Sequence, residues 1–322
     1  MPARRSIAIA AALAAAWAAP AARASADALW GADYFPNVTL TTQDGEKVRF
    51  YDDLLKDRIV AVDLIYTRCK FSCPLETARL AQVQRILGDR VGKDIFFYSI
   101  TLDPEHDTPE VLKAYAEKYH VGPGWLFLTG KKEDVKLLAR KLGLLSLSDA
   151  PVNRDGHTPE LMVGNVPTGQ WMRNSAVDNP RFLATIIGGM LDSWRSQRPT
   201  QSYAQASALS MSKGEYLFST RCTACHTIGR GDGIGPDLLG VTRMRERAWL
   251  ARFIQFPDQV LAEGDPIAKE LHEKYKQINM PNLRLGPEDV AALLQHLDEK
   301  DAAEDRKTAA AGAGVATGVG MK

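Results

Sequence analysis

The run Cys222-Thr223-Ala224-Cys225-His226 constrains the C-terminal third of this chain more than any other feature. Its C-x-x-C-H spacing lets two thiols add to the vinyl groups of one haem while the adjacent imidazole ligates the iron. A thioredoxin-like dithiol would require a buried strand before the motif, and a zinc site would require more cysteine or histidine ligands nearby. The motif therefore predicts one covalent haem c, attached at Cys222 and Cys225, with His226 on the iron.

Met280 is the favoured second axial ligand, because it lies in the loop Asn279-Met280-Pro281 before the last predicted helix. A methionine ligand would raise the reduction potential of the iron. His272 is the competing ligand, but its charged, helix-like surroundings predict that it faces solvent. A carbonyl of Gly235-Pro236 is expected to hold the proximal imidazole in one tautomer.

A second cysteine pair, Cys69 and Cys73, has C-x-x-x-C spacing where a predicted strand meets a predicted helix. If the second half of the motif is helical, both sulfurs share one face at a Cα separation of about 6 Å. The helix dipole and the charges of Arg68 and Lys70 favour a thiolate, and two soft thiolates select Cu(I) over hard cations. A copper site, a redox dithiol and a structural disulfide all remain open on this pattern.

A third ligand would distinguish a copper site from a bare dithiol. His157 lies in a turn-like segment before an apolar run and is placed to project over the cysteine loop. His106 follows a predicted strand, at the edge of an open sheet where functional groups gather. His120 ends a charged helix and is expected to cap it or to lie at the surface. The residues alone divide the expectation evenly between His157 and His106.

Alternating strand-like and helix-like runs predict an α/β domain over residues 27–197, with a central sheet covered by helices. Apolar periodicity predicts strands at 59–66, 95–102 and 125–128, and helices at 75–87, 108–120, 132–142 and 179–194. Residues 198–210, rich in Gln, Ser, Ala and Pro, predict a linker. A smaller helical domain is expected over 211–298, with helices at 245–256 and 287–297, and the Ala- and Gly-rich tail at 299–322 is expected to be disordered.

Residues 1–26 predict an export signal. Arg4 and Arg5 precede an apolar run over 7–22, and Ala24-Ser25-Ala26 offers a cleavage site, so the mature protein would begin at Asp27 in the periplasm. The run is shorter than the roughly 20 residues that span a bilayer, which favours cleavage over membrane anchoring. The formal net charge of +1 provides no electrostatic footprint for nucleic acid.

Residues 34–194 resemble the Sco/SenC family, the thioredoxin-like copper proteins of cytochrome oxidase assembly. The resemblance rests on Tyr66-Thr67-Arg68-Cys69, on Cys73-Pro74, on the runs SITLDPE (99–105) and DTPE (107–110), and on the position of His157. It implies Cys69, Cys73 and His157 as the ligands of one copper ion. It also implies copper delivery to, or thiol reduction of, the binuclear copper centre of an oxidase.

Residues 211–298 resemble the class I cytochromes c. The similarity covers Gly214, Tyr216 and Phe218 before the haem motif, GPDL at 235–238, Trp249 with Phe253, and MPNL at 280–283. It implies a small all-helical electron-transfer domain in which His226 and Met280 fill both axial positions of the haem. Catalysis at the iron is then not expected, because no open coordination position remains.

Together the two resemblances imply an α/β thioredoxin-like domain followed by a small all-α cytochrome c domain, acting as a metallochaperone or electron-transfer protein more than as an enzyme. The expected partners are the copper-centre subunit of cytochrome oxidase or its assembly factors, and redox proteins, with peripheral membrane association left open. One alternative is a periplasmic thiol-disulfide oxidoreductase coupled to the cytochrome, with Cys69 and Cys73 as its redox dithiol. The other is an electron carrier whose N-terminal domain is a docking module.

Overall fold

The structure, a computed structural model, describes residues 30–145, 159–190 and 211–316, and of 190 and 310–316 it describes the backbone only. The predicted export signal, the predicted linker and His157 lie outside these ranges. Within them, no helix is both long enough and apolar enough to cross a membrane.

The N-terminal domain is built on a seven-stranded mixed sheet with the order β2-β1-β5-β4-β3-β6-β7. The central strands β3, β4 and β5 run parallel, and the remaining pairs are antiparallel. The strands are β1 Thr39–Thr42, β2 Lys47–Arg49, β3 Ile59–Ile65, β4 Ile95–Thr101, β5 Trp125–Thr129, β6 Glu160–Asn165 and β7 Gln170–Ser175. The helices of this domain are α1 Cys73–Leu87, α2 Pro109–Lys118, α3 Lys132–Lys141 and α4 Pro180–Thr185.

Helices cover both faces of this sheet, which is why its central strands are largely apolar along their whole length. Every residue of β3 is buried. One apolar cluster joins the sheet to α1, α2 and α4, and a second joins it to α3 and the N-terminal segment. The predicted strands at 59–66, 95–102 and 125–128 correspond to β3, β4 and β5, each ending within one residue of its predicted limit.

The C-terminal domain is helical, and its helices pack around a third apolar cluster that includes Phe218, Leu250, Val290 and Leu294. Its helices are α5 Lys213–Leu217, α6 Val241–Met244, α7 Arg247–Gln255, α8 Pro257–Ala262, α9 Pro266–Lys274 and α10 Pro287–Ala316. A π-helical segment, Phe218–Cys222, continues α5 into the haem motif.

Helix α10 continues to Ala316, where the sequence predicted a disordered tail from residue 299. Alanine has the highest intrinsic helix propensity, which favours extension through the Ala-rich stretch. Asp301 also anchors this extension, because its carboxylate accepts hydrogen bonds from the Gly240 amide (2.7 Å) and the Thr242 hydroxyl (3.0 Å). Arg243 pairs with Asp305 one turn further along.

Candidate dithiol and haem sites

Cys69 and Cys73 lie where β3 meets α1. Cys69 belongs to the connecting loop and Cys73 is the first residue of α1, so only the second sulfur is carried by the helix. Their exposed fractions are 2% and 0%, and neither forms a disulfide in this structure. We call residues 66–73 the dithiol loop.

The two thiols of the dithiol loop have very different pKa values. A hydrogen bond from Cys73 lowers the pKa of Cys69 to about 6; burial opposes this shift, and backbone N–H groups of Cys73 and Phe71 add to it. Burial, followed by the hydrogen bond to Cys69, raises the pKa of Cys73 well above its usual value. At neutral pH Cys69 is therefore a thiolate and Cys73 a thiol. This is the protonation state of a nucleophile beside a resolving cysteine, and it also suits a soft metal ion.

Two buried carboxylates hold the dithiol loop in place. The Asp103 carboxylate pairs with the Arg68 guanidinium at 2.6 Å. The Asp107 carboxylate accepts hydrogen bonds from the Thr67 amide (3.1 Å) and the Thr67 hydroxyl (2.5 Å). Asp103 lies in the run 99–105 and Asp107 in the run 107–110, both quoted above for the family resemblance, and their role in bracing the loop was not predicted. Arg68, expected to favour the thiolate, instead has its charge matched by Asp103.

Two further carboxyl groups are buried in the same domain, close enough to interact electrostatically. Asp63 lies in the middle of β3, and its carboxylate accepts a hydrogen bond from the Ser99 hydroxyl at 2.6 Å. Burial raises the pKa of Asp63 to about 7. Burial also raises the pKa of Glu76, in the first turn of α1, and the charges of Asp63 and Cys69 add to that shift. An acidic residue inside an otherwise apolar strand is the signal that sequence reasoning overlooked.

The third copper ligand predicted by the resemblance, His157, lies outside the described residues. His106 and His120 are both exposed. Among the described residues, no group of three His, Cys, Asp or Glu side chains is arranged to hold a metal ion. The choice between His157 and His106 therefore stays a prediction.

An apolar cleft lies beside the C-x-x-C-H motif, and His226 and Met280 both line it. The Nδ1 of His226 lies 2.9 Å from the Pro236 carbonyl, as the Gly-Pro pair predicted. Because a carbonyl only accepts, Nδ1 carries the proton and the Nε2 lone pair remains for iron. Gly235 packs against the same ring so closely that a Cβ there would lie 2.7 Å from it.

The cleft fits a haem. Its further lining is largely apolar, as a porphyrin ring requires, and includes Cys225, Ile234, Phe253, Leu261, Leu271 and Ile278. Burial lowers the pKa of His226 and so favours the neutral imidazole that ligates iron. Burial also raises the pKa of Cys222 and Cys225 to about 12 each.

The position of His272 differs from the predicted one, which was in solvent. It is only partly exposed and lines the haem cleft together with Met280, because the last turn of α9 packs along that cleft. The choice of Met280 over His272 as axial ligand therefore stays a prediction.

Comparison with known proteins relates each of the two domains to a family. The SCO1/SenC family model matches residues 28–158, and the Cytochrome c family model matches residues 211–300. The SCO2-like protein of Rickettsia felis is 32% identical over 158 residues, which cover 47% of this chain and 73% of that protein. The chain belongs to the SCO1/SenC family. Its Sco domain is followed by a cytochrome c domain, and the predicted combination of an α/β thioredoxin-like fold with an all-α domain is confirmed.

Other relatives match over shorter stretches. The SCO1 protein homolog of Bacillus subtilis is 36% identical over 93 residues, which cover 29% of this chain and 47% of that protein. The chain thus spans about half the length of that curated relative. A solved structure, the cytochrome c domain of the pp3183 protein from Pseudomonas putida, is 53% identical and covers 28% of this chain and 88% of its own, with a TM-score of 0.27.

Proposed function

We propose that this protein is an exported Sco-type assembly factor. It binds one copper ion through Cys69, Cys73 and His157 and delivers it to the copper-centre subunit of a cytochrome oxidase, while a tethered haem c domain serves as its electron-transfer module. The observation that carries the proposal is the buried thiolate–thiol pair at Cys69 and Cys73 in a chain of the SCO1/SenC family. Export rests on the N-terminal signal, and a mature N-terminus at Asp27 in the periplasmic fraction is its check.

Copper is the cargo of this function, and the dithiol loop supplies the chemistry that recognises it. Cu(I) prefers soft sulfur ligands, and the Cys69 thiolate presents one at neutral pH without a prior proton loss. Binding at Cys73 releases its proton, since a thiol ligates metal in its deprotonated form. Asp103 and Asp107 keep the loop in one conformation, so that the two sulfurs stay within reach of the same ion.

The C-terminal domain would hold haem through thioether bonds at Cys222 and Cys225, with His226 and Met280 as axial ligands. When bound, this group supplies a one-electron carrier. The polypeptide fixes the His226 tautomer through Pro236 and surrounds the cleft with apolar side chains. The covalent tether to the Sco domain raises the effective concentration of the carrier at the copper site.

Anaerobic titration of the reduced, haem-loaded protein with Cu(I) tests the copper proposal. The wild type is expected to bind one copper per haem, and the Cys69→Ser/Cys73→Ser variant none. His157→Ala should weaken binding at least tenfold, whereas the matched His106→Ala variant should bind as the wild type does. Tight copper binding that survives loss of both sulfurs contradicts the proposal.

A second function, thiol-disulfide exchange without copper, is favoured by the split acidity of the dithiol loop. A lowered pKa at one cysteine beside a protonated partner is what a reductase of oxidised thiols needs. The two functions separate at His157, because a dithiol reductase does not require that imidazole. Full disulfide-reductase turnover in His157→Ala, together with the absence of tight copper binding in the wild type, would favour the reductase.

A further inference from the structure

The C-terminal domain lies directly against the dithiol loop. The backbone N–H of Asn282 donates a hydrogen bond to the Lys70 carbonyl at 2.9 Å. The Arg284 guanidinium stands over the Phe71 ring, 5.0 Å from its centroid. Lys70 also lines the haem cleft beside Met280. The chain segment that follows the predicted axial methionine thus contacts residues that lie between the two cysteines.

Helix α1 contributes a second contact through two polar side chains. Arg79 donates to the Thr220 carbonyl at 2.9 Å, and Gln82 donates to the Thr223 carbonyl at 2.7 Å. The two side chains are also joined to each other, since Arg79 donates to the Gln82 amide oxygen at 2.8 Å. Arg79 is only 2% exposed, although arginine is a residue that soluble domains seldom bury without partners. Both acceptors lie at or next to the haem motif.

Apolar packing completes the interface. Ala224, between the two haem-attachment cysteines, is buried in the same cluster as Cys69 and Cys73, and Cys225, Ile234, Ile278 and Leu283 pack against that cluster. Tyr119 is buried in the same cluster. Burial is the largest cause of the raised pKa of Tyr119, and the charges of Cys225, Cys73 and Cys69 raise it further. All three sulfurs therefore lie within electrostatic reach of the Tyr119 hydroxyl.

We propose that the C-terminal domain is a removable cover on the dithiol loop, and that a partner protein must displace it to reach Cys69 and Cys73. The inference rests on the proposed function, because it names what controls access to that same site. Ligand transfer and thiol exchange both require a partner group to approach a sulfur atom, and both sulfurs are buried in the seated arrangement.

The composition of the interface suits a cover that can open. Beside the apolar packing, the side chains of Arg79 and Gln82 and the backbone N–H of Asn282 each donate a hydrogen bond to a backbone carbonyl across the interface. Interfaces between domains of one chain that combine polar and apolar contacts in this way resemble transient protein–protein interfaces and permit relative motion. Because the two domains belong to one chain, a displaced cover remains at high effective concentration and closes again when the partner leaves.

Thiol alkylation measures the cover directly. In the haem-loaded protein Cys222 and Cys225 are consumed by thioether bonds, which leaves Cys69 and Cys73 as the free thiols of the chain. The reduced, copper-free, full-length protein is treated with excess iodoacetamide, and the rate of modification is followed by mass spectrometry. Backbone hydrogen exchange at residues 220–224 reports separately whether the interface has opened.

The opening variant is Gln82→Glu/Arg284→Glu. It replaces the amide donor with a carboxylate facing the Thr223 carbonyl and removes the cation above Phe71. The control is Arg85→Glu/Gln295→Glu, which makes the same total charge change at two exposed positions. We expect alkylation to be at least tenfold faster in the opening variant, with increased exchange at 220–224, and unchanged in the control. The haem absorbance spectrum verifies that each variant is folded.

Equal alkylation rates in the opening variant and the wild type would overturn the proposal. If exchange at 220–224 rises while alkylation does not, the domain is seated on the loop without covering it. If neither rises, the proposal is also overturned, because the contacts from which it is argued then do not seat the domain on the loop. Neither result bears on copper stoichiometry, so failure of the cover and failure of the copper proposal remain distinguishable.

Discussion

The two cysteine pairs of this chain lie in contrasting surroundings. In the dithiol loop, hydrogen bonds directed at one sulfur lower the pKa of Cys69 to about 6, while burial raises that of Cys73. In the haem motif burial raises the pKa of both Cys222 and Cys225 to about 12. Cys69 and Cys73 are the more deeply buried pair, whereas Cys222 and Cys225 are partly exposed, so burial, which disfavours a thiolate, does not account for the thiolate at Cys69. The difference comes from donor groups aimed at a single sulfur, which create one thiolate in the first pair and none in the second.

Replacing the cysteines of one pair at a time gives the largest expected effect. Cys222→Ser/Cys225→Ser should lose all covalent haem, because no thiol remains to form the thioether bonds, yet its N-terminal domain should still bind one Cu(I). Cys69→Ser/Cys73→Ser should show the reverse, with full haem content and no tightly bound copper. Haem absorbance and metal analysis of the same samples measure both. Copper loss in the Cys222→Ser/Cys225→Ser protein would contradict the division of roles.

The buried Asp63 should make the stability of the N-terminal domain, which holds the first cysteine pair, depend on pH. The carboxyl ionises near pH 3.8 in the unfolded chain and near 7 in the folded protein. Between these values the folded state holds the extra proton, so the free energy of unfolding should fall as pH rises, by up to about 4 kcal/mol. Asp63→Asn should remove this contribution, whereas Asp89→Asn, at an exposed position, should leave the profile unchanged. Denaturant unfolding from pH 4 to 8 measures the difference, and identical slopes in Asp63→Asn and wild type would refute it.

For the haem domain, the reduction potential tests which residue is the second axial ligand. Met280→Ala should lower the reduction potential of the haem by more than about 100 mV, because axial-ligand identity is among the strongest determinants of that potential. His272→Ala is the matched variant, since His272 lines the same cleft. Its potential should stay close to that of the wild type. Spectroelectrochemical titration distinguishes them, and the opposite ranking would assign the ligand to His272.

The acidity of Cys69 predicts the smallest of these effects. At pH 7 a thiol with a pKa of about 6 has about 30-fold more thiolate than an ordinary one with a pKa of about 8.5. Alkylation of Cys69 should therefore be nearly constant above pH 7 and fall tenfold per unit well below pH 6. Cys73→Ala removes the thiol donor and should raise the midpoint. A midpoint near 8.5 in the wild type would show that the hydrogen bonds do not stabilise the thiolate.

Local patterns were sufficient to predict the central strands and the position of both cysteine motifs. The apolar runs of β3, β4 and β5 are buried on both faces, and their periodicity is contained in the sequence itself. Strands β1, β2, β6 and β7 were not predicted. β1, β2 and β7 are short or partly exposed, and β1 and β6 also pair with strands far away in the sequence. The Pro236 carbonyl was predicted because it is close in sequence to His226.

Long-range contacts account for what the sequence did not reveal. Arg79 and Gln82 read as ordinary polar positions of a helix, and only the folded chain shows that they meet Thr220 and Thr223. His272 was expected in solvent, because its neighbours along the chain are charged and the cleft it lines is formed by other helices. His157 remains a prediction of the family resemblance.

X-ray absorption at the copper edge of the Cu(I)-loaded, haem-loaded protein tests the central claim most directly. Coordination by Cys69, Cys73 and His157 predicts two sulfur ligands and one nitrogen ligand. The nitrogen should be lost in His157→Ala and kept in His106→Ala. A first shell with fewer than two sulfurs, or a nitrogen that survives His157→Ala, would contradict the copper site proposed for this chain.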